Sequence, residues 1–420
     1  MDVSRFTRVL AAVSFVALTG CSDGSTVAPR DLQTRHVPTS AISRNPAFNS
    51  LLLPRPLGGW SAQSRATWPS ASPNFFTHCK KQSPPVPNAY LFANESISAR
   101  VYEYCEDIPP SPNTPMRSFG PGGFGLTISP VAIPAGGGAN ELLAVGEYPA
   151  VSGNPGAISI YRVLGSGLTP LVPPASKLVL TNANTYPIGL CFDGTGGLYA
   201  TEYPTNQIDY WTNAQVVGVG VAPPPVVAAL TTTGGPNPAP FYGTYLVCDF
   251  DQLSIPPGPP PVENIVMVDG TDSGGGVDVG KFVAGPAPTV NVSYAAGPGG
   301  FPGGLTLNKH DYLVFNDPNP AGPNSLITLF PPDVWNTAGM ICNYGTPGST
   351  YYLPIVFDDT QREIWGGNTI KAGSAFSTDA VSNYFPFGGV CQPGESGGPT
   401  KVIQNPAQFI GIAVWRNTGE

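Results

Sequence analysis

The sequence predicts an all-β fold, and three observations on its composition support that prediction. The 420 residues include 51 glycines and 50 prolines, so few segments could hold three uninterrupted helical turns. Hydrophobic residues make up 41% of the chain and aromatic residues 10%, which favours a buried core over disorder. The net charge is -8, with only 19 scattered Lys and Arg. Nucleic acid is therefore excluded as a partner, because binding phosphates requires clustered cations.

The first twenty residues have the pattern of an export signal. Arg5 and Arg8 precede the apolar run Val9–Leu18, which is too short to span a bilayer but suits a secretion signal. The segment ends in Leu18-Thr19-Gly20-Cys21, which resembles the lipobox of bacterial lipoproteins. That resemblance implies that residues 1–20 are removed and that Cys21 is lipidated. An ordinary signal peptide cleaved nearby, or a short buried strand, is the alternative.

The signal predicts a location and a domain organisation. We expect a protein anchored by lipid to the membrane of the bacterial cell envelope, on the extracytoplasmic side. Ser22 follows Cys21 without an intervening Asp, which favours the outer membrane in an organism that has one. Residues 21–50 are rich in Ser, Thr, Pro and Arg without apolar periodicity, so they are predicted to form a flexible tether. Residues 51–420 are left for the folded domain.

The cysteine pattern fits an exported protein. An even number of cysteines follows Cys21 and allows up to three disulfides, and six buried thiols are the alternative. Proximity in sequence favours pairing Cys79 with Cys105 and Cys342 with Cys391. The six cysteines are Cys79, Cys105, Cys191, Cys248, Cys342 and Cys391.

A three-stranded template is clearest between Pro187 and Trp211. Alternating apolar residues and Gly, Asp and Asn turns predict strands at Ile188–Phe192, Leu198–Glu202 and Gln207–Trp211. Successive strands joined by short turns form an antiparallel meander.

Partial copies of this template recur at 91–104, 125–161, 304–330 and 356–365. A further copy lies at 241–285, where either Tyr245–Phe250 or Asn264–Asp269 could be the second strand. The spacing is about 55 residues per unit, somewhat above the ~40 to 50 of common propeller repeats. Six such units account for the chain from about residue 85 onward.

The pattern from Pro187 to Ile208 resembles NHL-type and gluconolactonase-like six-bladed β-propellers. The segment Phe409–Trp415 looks like a first strand without a second, and the copy at 91–104 begins with a second strand. Pairing them would complete one blade from both termini and leave no exposed sheet edge. The sequence thus predicts a six-bladed propeller closed in this way, with a strand capping a β-sandwich as the alternative.

An acid or amide follows the second strand of most copies. These residues form the first set of candidate site residues. The resemblance to gluconolactonase-like proteins implies that such residues hold a divalent cation, such as calcium, at the central top face. Acids in this position also accept backbone N–H bonds from nearby turns. The candidates are Glu95, Glu147, Glu202, Asp317 and Asn368, with Asp249 or Asp269 in the copy of uncertain register.

Two further sets of residues suggest chemistry. The segment around Ser396, with His78, resembles the catalytic motifs of trypsin-like serine proteases, but Glu395 replaces the usual Asp and a Gly-rich loop between blades explains it as well. Aromatic residues near strand ends could line a sugar or peptide groove, or pack between blades. They are Tyr148, Tyr203, Trp211, Trp365 and Trp415.

The sequence leads to one favoured function and two alternatives. We expect a lipid-anchored propeller that binds a protein or carbohydrate ligand or acts as a scaffold at the cell envelope, without a cofactor. The first alternative is a metal-dependent lactonase-like hydrolase that uses the top-face carboxylates. The second is a serine hydrolase that acts through Ser396. Whether the protein is an enzyme stays open at this point.

Overall fold

The structure is a computed structural model, and it describes the chain from residue 88 onward with gaps. The leader, the tether, His78 and Ser396 lie outside the described residues. The described residues are 88–95, 99–105, 115, 117–129, 133–134, 139–149, 151–164, 167–170, 177–193, 196–218, 226–232, 241–249, 265–271, 276–283, 289–298, 303–307, 313–317, 324–329, 338–344, 350–357, 364–372, 375–384, 401–405 and 409–417.

The described residues are almost entirely extended, as the Gly and Pro content predicts. Their one helix is α1 (Asn213–Val216), between β12 and β13, and none of them forms a helix able to cross a bilayer. The strands are β1 (Asn88–Glu95), β2 (Arg100–Cys105), β3 (Arg117–Phe119), β4 (Gly123–Ile128), β5 (Ile133–Pro134), β6 (Ala139–Glu147), β7 (Ala157–Leu164), β8 (Gly167–Pro170), β9 (Leu178–Val179), β10 (Tyr186–Phe192), β11 (Leu198–Tyr203), β12 (Gln207–Trp211), β13 (Val226–Ala229), β14 (Thr231–Thr232), β15 (Tyr242–Asp249), β16 (Ile265–Thr271), β17 (Gly276–Val283), β18 (Thr289–Pro298), β19 (Leu305–Leu307), β20 (Leu313–Asp317), β21 (Asn324–Leu329), β22 (Ala338–Tyr344), β23 (Thr350–Phe357), β24 (Ile364–Ala372), β25 (Ala375–Tyr384), β26 (Lys401–Asn405) and β27 (Phe409–Asn417).

These strands form six sheets in a propeller-like arrangement rather than two stacked sheets. Five sheets use strands that follow one another in the chain, namely β4–β9, β10–β13, β14–β18, β19–β22 and β23–β26. Neighbouring strands are antiparallel except for the short parallel pair of β14 and β18. The template predicted between Pro187 and Trp211 is confirmed as β10, β11 and β12.

The sixth sheet joins strands from the two ends of the described chain. It has the order β27-β1-β2-β3, and β27 runs antiparallel to β1, with Tyr90 opposite Trp415 and Asn88 opposite Asn417. The rings of Tyr90 and Trp415 lie 5.4 Å apart. The predicted pairing of Phe409–Trp415 with the copy at 91–104 is therefore observed.

The uncertain copy at 241–285 has one register in the structure. Strand β15 is its first strand and β16 its second, with Leu246 opposite Val268. Of the two alternatives for the second strand, Asn264–Asp269 is right and Tyr245–Phe250 is wrong.

The first strands of five of the six sheets carry the same irregularity. Pro187 of β10 lies opposite Glu202, but Leu190 lies opposite Ala200, so β10 has one extra residue at this point. The same shift occurs in β4, β15, β23 and β27. A buried Leu or Ile follows the shift in these strands and occupies the equivalent place in β19. These residues are Leu126, Leu190, Leu246, Leu305, Ile355 and Ile412.

The first strands of all six sheets line one cavity of about 160 Å³. Glycine allows three of these strands to touch their neighbours. A Cβ atom on Gly125, Gly189 or Gly411 would lie 2.2–2.4 Å from a backbone oxygen of the next first strand, a distance at which backbone cannot yield. Strand β27 therefore contacts β4, β4 contacts β10, and β10 contacts β15. From β4 onward, this is also the order of the sheets along the chain.

The hydrophobic core lies between neighbouring sheets. One cluster joins Leu126 of β4 to Phe92 of β1 and Trp415 of β27. Another joins Leu246 of β15 to residues of the preceding sheet. The disulfide Cys191–Cys248 links β10 to β15 with a Cα–Cα distance of 5.6 Å, so at least these two cysteines are paired. The side chains needed for the pairs Cys79–Cys105 and Cys342–Cys391 lie outside the described part of the chain.

Candidate functional site

The predicted acids and amide occupy equivalent register positions in second strands. Glu95, Glu147 and Asp317 end their strands, whereas Asn368 lies inside β24. Glu95, Glu147, Glu202 and Asn368 each lie opposite the residue that precedes the register shift in the first strand of their sheet. Asp317 ends β20, two residues after Phe315, which lies opposite Leu305. In the copy at 241–285, Gly270 lies opposite the residue that precedes the register shift, one residue after Asp269. The side chains of Asp317 and Asn368 lie outside what the structure describes.

Glu147 is buried at the end of β6 and both of its oxygens are bonded. The Ser159 hydroxyl donates to Oε1, and the Lys177 ammonium forms an ion pair with Oε2. Burial raises the pKa of Glu147, and the charge of Lys177 with the two hydrogen bonds opposes that rise. The carboxylate therefore joins β6 to β7 and to the segment that precedes β9.

Glu202 is fully buried at the end of β11 and binds a turn of the backbone. Its Oε1 accepts the N–H groups of Thr181 and Asn182, the latter at 2.9 Å. The side-chain amide of Asn182 donates to Oε2 and also to Gln207. The turn around residues 181–185 leads directly into β10, so Glu202 fixes the approach to this first strand.

Asp209 on β12 is a partner of Glu202 that sequence reasoning missed. Its Oδ2 accepts the Thr181 N–H at 3.0 Å, and its Oδ1 accepts the Thr181 hydroxyl at 3.3 Å. Burial, followed by the charge and hydrogen bond of Glu202, raises the pKa of Asp209 to about 8. Asp209 therefore retains its proton near neutral pH. The sequence did contain a signal of this buried acid. Asp209 lies in a predicted strand together with the apolar residues Ile208 and Trp211.

Glu95 lies in a buried aromatic environment. It is 1% exposed. Burial of Tyr148 raises the pKa of the Tyr148 hydroxyl, and the charge of Glu95 adds to that rise. The Tyr148 ring packs against Phe124 with centroids 4.4 Å apart and against Tyr186 at 6.4 Å. Phe124 and Tyr186 are themselves stacked at 4.8 Å.

The aromatic residues predicted near strand ends are all buried, so they pack between sheets and do not line an open groove. Trp415, for example, donates its indole N–H to Glu141 of the adjacent sheet. The residues are Tyr148, Tyr203, Trp211, Trp365 and Trp415.

Glu147 and Glu202 have separate partners. Within the described residues, no three or more His, Cys, Asp or Glu side chains are placed to hold a metal ion. A site that also uses Asp317 and Asn368 stays a prediction. Glu202 accepts backbone N–H groups, which is the alternative role that the sequence left open, whereas Glu147 accepts from side chains.

Comparison with known proteins assigns no family. No family model matches the chain, and no curated protein matches it. Similar solved structures include a chain of a nidogen/laminin complex, with 13% identity and a TM-score of 0.44 over 78% of this chain and 98% of that chain. A protein of unknown function from Bacteroides caccae has 10% identity and a TM-score of 0.45 over 78% and 99%. A Bacteroides fragilis protein assigned as a 6-phosphogluconolactonase has 12% identity and a TM-score of 0.43 over 71% and 78%.

Proposed function

We propose that this protein is an exported, lipid-anchored β-propeller with six blades, which acts as a binding or scaffolding module at the bacterial cell envelope. Each of the six sheets is one blade. The pairing of β27 with β1 closes the ring, because it leaves no unpaired strand edge where the first and last blades meet. The convergence of six first strands on one cavity supports this arrangement.

Export is supported by the disulfide between β10 and β15. Disulfides persist in oxidising compartments and are rare where thiols are kept reduced. Cys191 and Cys248 are buried and bonded to each other, which fits an extracytoplasmic protein. In our proposal Cys21 carries the lipid, and the tether at 21–50 separates the propeller from the membrane surface.

The observation that carries the binding role is that Glu147 and Glu202 are already satisfied by the protein itself. A cation at either residue would have to displace Lys177 from Glu147, or two backbone N–H groups from Glu202. Leaving a buried donor without a partner costs about 1–3 kcal/mol. These carboxylates therefore serve to make the blades rigid, and a rigid face suits a module that binds a protein or carbohydrate.

The metal-dependent lactonase-like hydrolase remains the second candidate. It is favoured by the equivalent placement of Glu95, Glu147, Glu202 and Asn368 in four sheets. Those residue types suit a hard cation such as calcium.

The lipid anchor is tested by metabolic labelling with an alkyne analogue of palmitate in a bacterial host. The full chain is expected to carry the label and to sediment with membranes, whereas the Cys21→Ser variant should carry none and leave the membrane fraction. A full chain that is exported without label would contradict the anchoring proposal.

The choice between module and hydrolase is tested by calorimetric titration of the mature chain with calcium, together with a lactone hydrolysis assay. The module predicts no saturable binding and no calcium-dependent hydrolysis. A saturable site that is lost in Glu95→Gln, with hydrolysis lost in parallel, would establish the second candidate instead. For a positive readout of the module, a photo-crosslinker at Val151, which is 60% exposed, should reproducibly attach to one envelope component in intact cells.

A further inference from the structure

The cavity between the six first strands has an uncharged wall. It extends along residues 125–128 of β4 and 410–414 of β27, and over shorter stretches of the other four strands. Among the described residues that line it there is no Asp, Glu, Lys, Arg or His. Bringing a charged group into such a space would cost several kcal/mol without a counter-charge to offset it.

Aliphatic side chains supply the apolar part of this wall. The six Leu and Ile residues at equivalent places in the first strands all border the cavity. Each of them is buried and retains 4% to 8% exposure, and each contributes to the cavity wall. One such residue comes from every blade, which gives the cavity a ring of branched carbon groups.

Strand edges supply the polar part. Each of these strands pairs with a second strand on one side only, so the peptide groups on its other edge point toward the centre. Backbone N–H and C=O groups in a buried place need hydrogen-bond partners. Thr127 and Thr306 also border the cavity. The wall therefore combines hydrogen-bonding capacity with apolar surface.

Two first strands, β15 and β23, carry Tyr245 and Pro354 in place of glycine beside the cavity. Tyr245 occupies the place in β15 that Gly125, Gly189 and Gly411 occupy in their strands, immediately before the aliphatic residue. Glycine there brings neighbouring first strands into backbone contact, and a tyrosine side chain cannot fit so close an approach. Tyr245 instead borders the cavity.

We propose that this cavity binds a compact, uncharged molecule that carries both hydroxyl or amide groups and apolar surface. A volume of about 160 Å³ is close to the ~150 Å³ of an engineered apolar cavity that binds benzene, which limits the ligand to a few non-hydrogen atoms. The site is separate from the carboxylates at the ends of the second strands. It goes beyond the proposed module by assigning an internal site and a ligand class, and it does not depend on the lipid anchor.

The test uses saturation-transfer NMR on the full mature chain, kept in solution by Cys21→Ser. The probes are propane-1,2-diol, its cationic analogue 1-aminopropan-2-ol, and the lactate anion, which are close in size and shape. The neutral diol is expected to bind with a dissociation constant on the order of millimolar, at least tenfold more tightly than either charged analogue. Equal binding of all three probes, or no binding of the diol, would overturn the proposal.

Cavity-filling variants test whether the diol binds in this cavity. Leu246→Phe and Ile355→Phe enlarge two side chains that border the cavity from different sheets. Each variant is expected to weaken diol binding at least tenfold. The control Val151→Phe enlarges an exposed side chain and should leave binding unchanged. Melting curves show which variants fold, since overpacking costs about 1–3 kcal/mol. If neither filling variant folds, the comparison of the three probes on the parent chain decides. Diol binding that survives in a folded filling variant refutes the site.

Discussion

Removing strand β27 should unfold the domain, because β27 pairs with β1 and completes the sheet that contains β1, β2 and β3. The perturbation is a chain that ends at residue 408, compared with a control that ends at residue 417 and keeps the whole strand. The truncated chain lacks every partner of β1 on that side. It also exposes the edge of β1 to solvent, where unpaired strand edges promote aggregation.

The size of the effect follows from the side chains that β27 buries. Phe409, Ile410, Ile412 and Trp415 are exposed by 6% or less, and burying a large apolar side chain contributes about 1.5–3 kcal/mol. Their combined loss is therefore about 6–12 kcal/mol. Because domains of this kind are stable by about 5–15 kcal/mol, the truncation removes most of the free energy of unfolding.

The assay is urea unfolding followed by far-ultraviolet circular dichroism and tryptophan fluorescence. The control chain should unfold cooperatively, and the truncated chain should show no cooperative transition or should precipitate. A truncated chain that unfolds cooperatively at the same urea concentration as the control would refute the proposed closure, since the strand would then contribute nothing to the fold.

Two further predictions concern the disulfide and the carboxyl pair. The double variant Cys191→Ala, Cys248→Ala should lose about 4 kcal/mol of stability, because the bond closes a loop between residues 57 apart; equal urea midpoints for variant and parent would contradict this. The folded protein holds a proton on Asp209 up to about pH 8, whereas an unfolded Asp releases it near pH 4. The free energy of unfolding should therefore decrease as pH rises from about 4 to about 8 and then level off. In Asp209→Asn, which can still donate to Glu202, this decrease should shrink, and an unchanged pH profile of urea midpoints would show that Asp209 does not retain its proton at neutral pH.

Much of the fold could be predicted from the chain because the repeated features are local. The Gly-Leu or Gly-Ile steps at 125, 189, 304 and 411 mark the place where a first strand meets its neighbour, and the acids at 95, 147 and 202 mark where a second strand ends. The one copy whose register stayed open has Tyr245 in the place of that glycine. Without this marker, two apolar segments fitted the second strand equally well.

The disulfide and the role of the carboxylates depend on contacts between distant segments. Cys191 and Cys248 lie on first strands of successive sheets, so they are separated by about one repeat, and proximity along the chain suggested partners only for the other four cysteines. Glu202 is bonded by Thr181 and Asn182, which precede β10. Residue types suggested a ligand set, but only the packed turn shows that hydrogen-bond donors of the protein occupy those oxygens.

The antiparallel pairing of β1 with β27 also determines how the chain could be rewired. Asn88 and Asn417 lie directly opposite each other, which places their Cα atoms roughly 5 Å apart. A linker of a few residues could join them and make the backbone circular. New ends opened in the exposed turn at 151–154 would then give a circular permutant in which every strand keeps its partners.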